Sequence, residues 1–327
     1  MWSSEPLEEA LRGVSRAGAH KLRKRLRKAA KGDEKAVHDA RTTIRRLRQT
    51  LLVMGRTAFD RQSAERLSTQ LKDLEQTLGP VRDDDVLLQS VRRWRKGVPR
   101  ALGSGIEPLE KRLIRQRKKH VRSLVDDLAR KRMRRTVKGV RRLERGQSPP
   151  TLGPPGNPHR AVPALVRHVV ADQTWRAFDE VLAYDTRVPT ADLGVMHKVR
   201  SACRRLRYPL ELFGDAVPTG ARDVAAALRD LQNRLGTLHD HVVALQRIRA
   251  WLDGGRIPPS DAIEAYLRER TEARDRLSAE FDREWRSLTS QAFRDAIGQI
   301  ASGEMHSRPN GAVRLVPQRR PSRAAGA

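Results

Sequence analysis

Apolar residues recur at spacings of three and four along most of the chain, and no stretch of strict alternation reads as a strand. The pattern predicts helices over Pro6–Ala30, Asp33–Met54, Ser63–Thr77, Asp83–Arg95, Pro108–Ala129 and Lys131–Leu143. A second set is predicted over Leu165–Ala183, Ala191–Phe213, Ala221–Leu235, Asp240–Leu252, Ser260–Leu288 and Ala292–Ile300. Asp33, Asp83 and Ser260 stand where N-caps belong. Gly79 and Gly236 read as breaks between consecutive helices. The expected fold class is all-α.

One interior stretch, Gly146–Pro163, carries six prolines and cannot continue a helix. It reads as a connector between a first helical half, residues 5–145, and a second, residues 164–301. Residues 302–327 are rich in Gly, Pro and Arg without an apolar period, which predicts a disordered basic tail.

The halves repeat each other. HDARTTIRRLRQTL from His38 matches HKVRSACRRLRYPL from His197, and LKDLEQTLGPVRDDDVLLQSVRRW from Leu71 matches LRDLQNRLGTLHDHVVALQRIRAW from Leu228. Leu, Gly, Asp and Trp recur at matched positions. A repeat this long predicts duplicated helical units with pseudo-two-fold symmetry, not a solenoid.

On a helical wheel His38, Arg41, Arg45 and Arg48 share one face, opposite Ala40, Ile44, Leu47 and Leu51. His197, Arg200, Arg204 and Arg207 do the same, opposite Val199, Cys203, Leu206 and Leu210. Each helix thus pairs a dry seam with a ladder of one His and three Arg. Arg46 and Arg205 lie to the side. The first helix adds a strip of Arg16, His20, Arg23, Lys24, Arg27 and Lys31, opposite Leu11, Leu22 and Leu26. A solvated face ordinarily intersperses acids at i,i+4. The first ladder run holds only Asp39, off the face, so the stacked cations are expected to face an anion.

Charge sharpens this. The 327 residues hold 67 Lys+Arg against 39 Asp+Glu, a formal charge of +28, and arginine dominates the bases. Such an excess attracts polyanions, and the arginine fork suits phosphate oxygens. Aromatic residues make up only 4% of the chain, too few for platforms that stack unpaired bases. Trp94, Trp175, Trp251 and Phe213 read as core. No apolar run is long enough to span a bilayer, so no membrane insertion is expected. The opening residues show no signal-peptide pattern, and the lone Cys203, placed on a dry seam, forms no internal disulfide. A cytoplasmic protein without cofactor is expected.

Sequence offers little for catalysis. There is no GxSxG, P-loop or HExxH pattern. His197, His239, Asp240 and His241 loosely resemble a metal phosphohydrolase arrangement, but neighbouring arginines repel a divalent ion. Non-specific nucleic-acid binding through the basic first half and tail is the stronger alternative to a dedicated polyanion site.

The runs HDARTTIRRLR and HKVRSACRRLRYPLELF, each followed by LG-x-x-[RH]-D-x-[DV], resemble the CHAD domain family over about residues 5–300. The resemblance implies two helical bundles around a basic channel that binds inorganic polyphosphate, and an association with polyphosphate granules. By position the lining would comprise His38, Arg41, Arg45, Arg48, His197, Arg200, Arg204 and Arg207. Arg16, His20, Arg23, Lys24, Arg27, Arg46, Arg82, Arg205 and His239 would be secondary contacts. Arg82 stands where the second half has His239, which makes a two-histidine metal site unexpected.

Overall fold

Where the apolar period runs uninterrupted, the chain is helical. A computed structural model describes residues 7–57, 61–145, 166–188, 193–212 and 220–302, and no strand occurs among them. The helices are α1 (Leu7–Ala29), α2 (Glu34–Thr57), α3 (Arg61–Thr77), α4 (Gly79–Gly97), α5 (Arg100–Ser104) and α6 (Glu107–Ala129). They continue with α7 (Lys131–Glu144), α8 (Val166–Leu182), α9 (Leu193–Leu212), α10 (Gly220–Asp253), α11 (Asp261–Leu288) and α12 (Gln291–Ser302). The 146–163 connector, the 302–327 tail beyond Ser302 and Phe213 lie outside the described residues.

Two of the three expected caps form. Asp33 Oδ1 accepts from the Ala36 amide at 2.7 Å, and Ser260 Oγ accepts from the Ile263 amide at 3.3 Å. Asp83 is not a cap: α4 begins four residues earlier, with Leu78 at the N-cap and Pro80 in its first turn. Gly236 does not break the chain either, because α10 runs through it from Gly220 to Asp253. The short α5 was not expected.

The described residues group into two compact units. The larger gathers those of Ser3–Val169 and Arg234–Ala279, and the smaller those of Val170–Asn233 and Glu280–Ala327. In the larger unit α1 packs on α2, α2 on α3, α3 on α7 and α7 on α1, a closed four-helix arrangement. Its seam includes Leu11, Leu22, Ile44, Leu47, Leu51, Leu71 and Leu74, each at most 1% exposed. Burying one such side chain contributes about 1.5–3 kcal/mol before entropy is counted. Gly32 closes the α1–α2 turn at φ 80°, a left-handed conformation that costs glycine little. The Arg117 guanidinium of α6 donates to its carbonyl at 2.7 Å.

A second core in the same unit joins α4, α6, the later part of α10 and the earlier part of α11. Leu88, Val91, Leu109, Leu113, Leu245, Ile248 and Tyr266 are among its buried members. Trp94 and Trp251, matched in the repeat, both belong to it, and Trp94 meets Tyr266 edge-on at 5.7 Å. In the smaller unit Phe178 lies 6.0 Å from Phe293, and Trp285 donates its indole N–H to Asp185 at 2.8 Å. Trp175, expected in a core, is 44% exposed, its ring tilted 51° against Phe178 at 6.3 Å.

Candidate functional site

The dry seams on α2 and α9 decide which side chains are left outward. Ala40, Ile44, Leu47 and Leu51 are at most 1% exposed, and so Arg41, Arg45 and Arg48 lie half-buried on the opposite face with His38 exposed above them. Val199, Cys203, Leu206 and Leu210 are likewise buried, leaving Arg200, Arg204 and Arg207 half-buried and His197 exposed. Burial pushes the Cys203 thiol up to about 12, so it holds its proton and is no nucleophile.

In the larger unit the first ladder meets Arg82 of α4. Partial desolvation of the His38 ring, then the charge of Arg82, pull its pKa below the ordinary value; Asp39 opposes this, and Arg45 and Arg41 add to it. Burial, then Arg45, lowers Arg41. Arg46 is exposed at the side, and Asp39 turns away to pair with Arg25 of α1 at 3.4 Å.

An acid does face this ladder, and it comes from another helix. Glu75 of α3 accepts from Arg45 Nε at 2.5 Å and from Arg48 at 3.3 Å, while its backbone carbonyl accepts from Arg41 at 2.8 Å. The expectation of a ladder without carboxylates is thereby corrected. Asp83 of α4 adds a second negative charge near Arg41, so two carboxylates stand against a cluster of four arginines. Gly79 makes the arrangement possible: a Cβ there would stand 3.2 Å from Arg41 Nη1.

The smaller unit repeats one of these bonds. Arg200 Nε donates to the Gln232 carbonyl at 3.1 Å, and Gln232 matches Glu75 in the repeat. A neutral amide therefore stands where the first ladder has its carboxylate, and the buried Nε2 of Gln232 has no partner. Glu211 supplies the acid here, 3.7 Å from Arg207 at i,i+4 and 2.6 Å from Arg229. Arg205 turns aside to Glu180 of α8. Exchanging Glu75 for Gln should give the first ladder the character of the second. Glu75→Gln is expected to raise affinity for a phosphate polymer about tenfold and to cost the empty protein about 1 kcal/mol. Titration calorimetry and a chemical denaturation curve measure the two effects.

Beneath Arg82, α4 carries two buried acids that sequence reading placed at a helix start. Asp84 accepts from His120 Nδ1 at 2.6 Å and also pairs with Arg247 of α10. Asp85 pairs with Arg117; burial raises its pKa, which Arg117 opposes. Its second oxygen is buried without a partner. These acids hold basic side chains of α6 and α10, none of them in the ladders. His120 was missed, because its partner lies on a different helix. Arg247 in turn lies 4.8 Å from the Trp251 ring centroid and Arg112 lies 5.5 Å from it. His241 matches Asp84 in the repeat. Burial and then Arg270 lower its pKa to about 4.

The first-helix strip gathers on α7. Glu144 accepts from Arg23 at 2.7 and 2.9 Å and meets His20 at 2.9 Å. Those bonds hold the Glu144 carboxyl at about 2. Arg16 and Arg27 line the same groove, and Lys24 is exposed beside it. His239 is exposed on α10. Among the described residues no group of three or more His, Cys, Asp or Glu is placed to hold a metal ion. No helix among them is long and apolar enough to cross a membrane.

The helical frame finds its counterpart in known proteins. The chain matches the CHAD domain over residues 13–249 and again over residues 177–323. The chain belongs to the CHAD domain family. Two solved structures share the fold. The crystal structure of the CHAD domain from the plant Ricinus communis is 20% identical, with a TM-score of 0.61 over 91% of this chain and 93% of that one. PptA from Streptomyces chartreusis is 19% identical, with a TM-score of 0.59 over 86% of this chain and 100% of that one. No curated protein matches the chain. Both ladders lie within the residues matched, the α9 ladder within both ranges.

Proposed function

We propose that this CHAD protein binds inorganic polyphosphate through its two ladders and thereby attaches to polyphosphate granules, without turning the polymer over. The observation that carries the reading is the first ladder itself. Arg41, Arg45 and Arg48 are seated half-buried by a dry seam, beside Arg82 and under His38, with Glu75 as the carboxylate that engages them. A ligand that is all phosphate, with no bases and no apolar part, suits rows of guanidinium groups spaced one helical turn apart. Nothing in the ladders supplies a nucleophile or an activating acid, so binding is the chemistry they support. The family resemblance points the same way.

Calorimetric titration with polyphosphate of defined length, beside orthophosphate, tests the reading. The polymer is expected to bind, with affinity falling steeply as salt rises because ordered counterions are released. Orthophosphate is expected to bind far more weakly, since it spans one rung. Equal affinity per phosphate for the two would overturn the proposal.

The histidine adds a pH dependence whose sign follows from its surroundings. In the empty protein the pKa of His38 lies below the ordinary value near 6.5. A bound polyanion raises it, so binding takes up a proton. Affinity should therefore increase as pH falls through the bound-state pKa and level off below the free-state pKa. The empty protein should respond oppositely. His38 and His241 are both held neutral by the fold, so its stability falls as pH drops below about 6.5. A His38→Gln/His197→Gln variant should bind with the same affinity at pH 5.5 and 8, while the unmodified protein should not.

A further inference from the structure

Every exposed position of the stretch Lys131–Arg145 is a lysine or an arginine. Met133, Thr136, Val140 and Leu143 are buried and seat α7 in the first core. On the flank toward α3, Arg132 pairs with Asp73. The flank toward α1 gathers cations from both helices. An open groove of about 860 Å³ is lined there by Arg16, His20, Arg23, Arg27, Arg141 and Arg145. A further groove of about 640 Å³, next to Leu128 of α6, adds Arg134, Lys138 and Arg142 and shares Arg141 and Arg145 with the first. The two form one continuous basic face. Among the described residues that line it, Glu144 is the one acid, and it is taken up by Arg23 and His20. Cations stacked in this way repel one another unless something anionic meets them.

Both helices present their cations in register. Arg16, His20, Arg23 and Arg27 recur at intervals of four, three and four residues, and Arg134, Lys138, Arg141 and Arg145 recur at the same intervals. Each row therefore places one cation per turn, about 5.4 Å apart along its helix, as the α2 ladder does. The face lies across the bundle from that ladder. The helices α1, α2, α3 and α7 close a ring in that order. The ladder opens on the α2–α3 side, where Glu75 engages it, and the groove opens on the α7–α1 side. A helix is about 10–12 Å across, so the two sides stand about 20–24 Å apart. No residue of the α2 ladder lines either groove.

We infer that the α1–α7 face is a second polyphosphate seat, which together with the ladder on the opposite side lets one molecule join two polymer chains. The inference rests on the ladder reading, because the ladder holds the first chain. A phosphate strand lying along one side of the bundle leaves the other side open to a second strand. Joining strands condenses a polymer, whereas a one-sided binder only coats it. No aromatic residue lines either groove, so bases find no stacking platform there. Rows of basic side chains one turn apart, most of them guanidinium forks, suit an occupant made of phosphate alone.

The test is a two-chain capture assay with the full chain. Short polyphosphate is tethered sparsely to a surface, the protein is bound to it, and fluorescent polyphosphate is added. The unmodified protein is expected to capture the labelled chain. The variant Arg134→Glu/Lys138→Glu/Arg141→Glu/Arg145→Glu, at exposed positions throughout, is expected to stay on the tether. Its affinity for the labelled chain should fall about tenfold or more. Arg134→Lys/Arg141→Lys/Arg145→Lys keeps the charge and should retain most of the capture. Unchanged helical circular dichroism separates loss of capture from misfolding. Label captured equally well by the Glu variant would put the second chain elsewhere and overturn the inference. So would unmodified protein that holds the tether but captures nothing. Duplex DNA that displaces the label at equal phosphate concentration would make the face a general polyanion surface and overturn its assignment to polyphosphate. If instead Arg45→Glu/Arg204→Glu stays on the tether as firmly as the unmodified protein while the α7 variant comes off, the ladder proposal fails and the α1–α7 seat stands.

Discussion

Replacing Arg45 and Arg204 together with Glu is expected to weaken polyphosphate binding by at least a hundredfold. Each residue is the middle rung of its ladder, half-buried between neighbours that the seam holds in register. A charge-assisted bond to phosphate contributes about 1.5–3 kcal/mol, so losing one in each ladder removes about 3–6 kcal/mol. Reversal adds repulsion between the new carboxylate and the polymer. In the first ladder the incoming Glu would also stand against Glu75, which now accepts from Arg45. Arg48 would then be drawn further toward the acids and away from ligand. The same exchange at Arg319 and Arg320 of the C-terminal stretch is the control, expected to cost less than tenfold. Calorimetry at one salt concentration measures both. A tail variant that loses as much as the ladder variant would move the binding to that stretch and defeat the ladder proposal.

The dry seams were legible in sequence because a 3.6-residue period alone places Ala40, Ile44, Leu47 and Leu51 on one side. The ladders followed as their complement. Glu75 was not legible, since a carboxylate reaching across from α3 leaves no trace in the spacing of α2. His120 escaped for the same reason: its partner Asp84 is on α4, 36 residues away. The two glycines show where local rules diverge. Gly79 precedes Pro80, whose ring fits a first turn, and there a helix begins. Gly236 precedes Thr237, and a glycine inside a helix costs only about 1 kcal/mol relative to alanine. The apolar positions on both sides of Gly236, Leu235 and Leu238 among them, are buried and carry α10 through it. The acids at 84 and 85 were read as first-turn residues because the helix was started too late. Once α4 begins at Gly79, they fall in its second turn on the buried side.

Asp84→Ala should destabilise the larger unit by about 3–5 kcal/mol, the usual cost of stripping one partner from a buried charge pair. Asp84 is wholly buried and holds two basic side chains from two other helices, His120 of α6 and Arg247 of α10. Without it, Arg247 is left against the Trp251 ring with its charge uncompensated. Glu110→Ala is the matched control. Glu110 also pairs with two arginines, Arg92 and Arg95, but both are about half exposed, at 50% and 45%. Its loss should cost about 1 kcal/mol or less. Guanidinium unfolding followed by helical circular dichroism compares the variants at equal slope. The difference bears on function, because Arg82 sits two residues before Asp84 on the same helix and faces His38. If Asp84 pins α4, its removal should weaken polyphosphate binding at temperatures where the unit is still folded. A variant that loses stability yet binds at full strength would make Asp84 purely structural and would sever the buried anchor from the ladder above it.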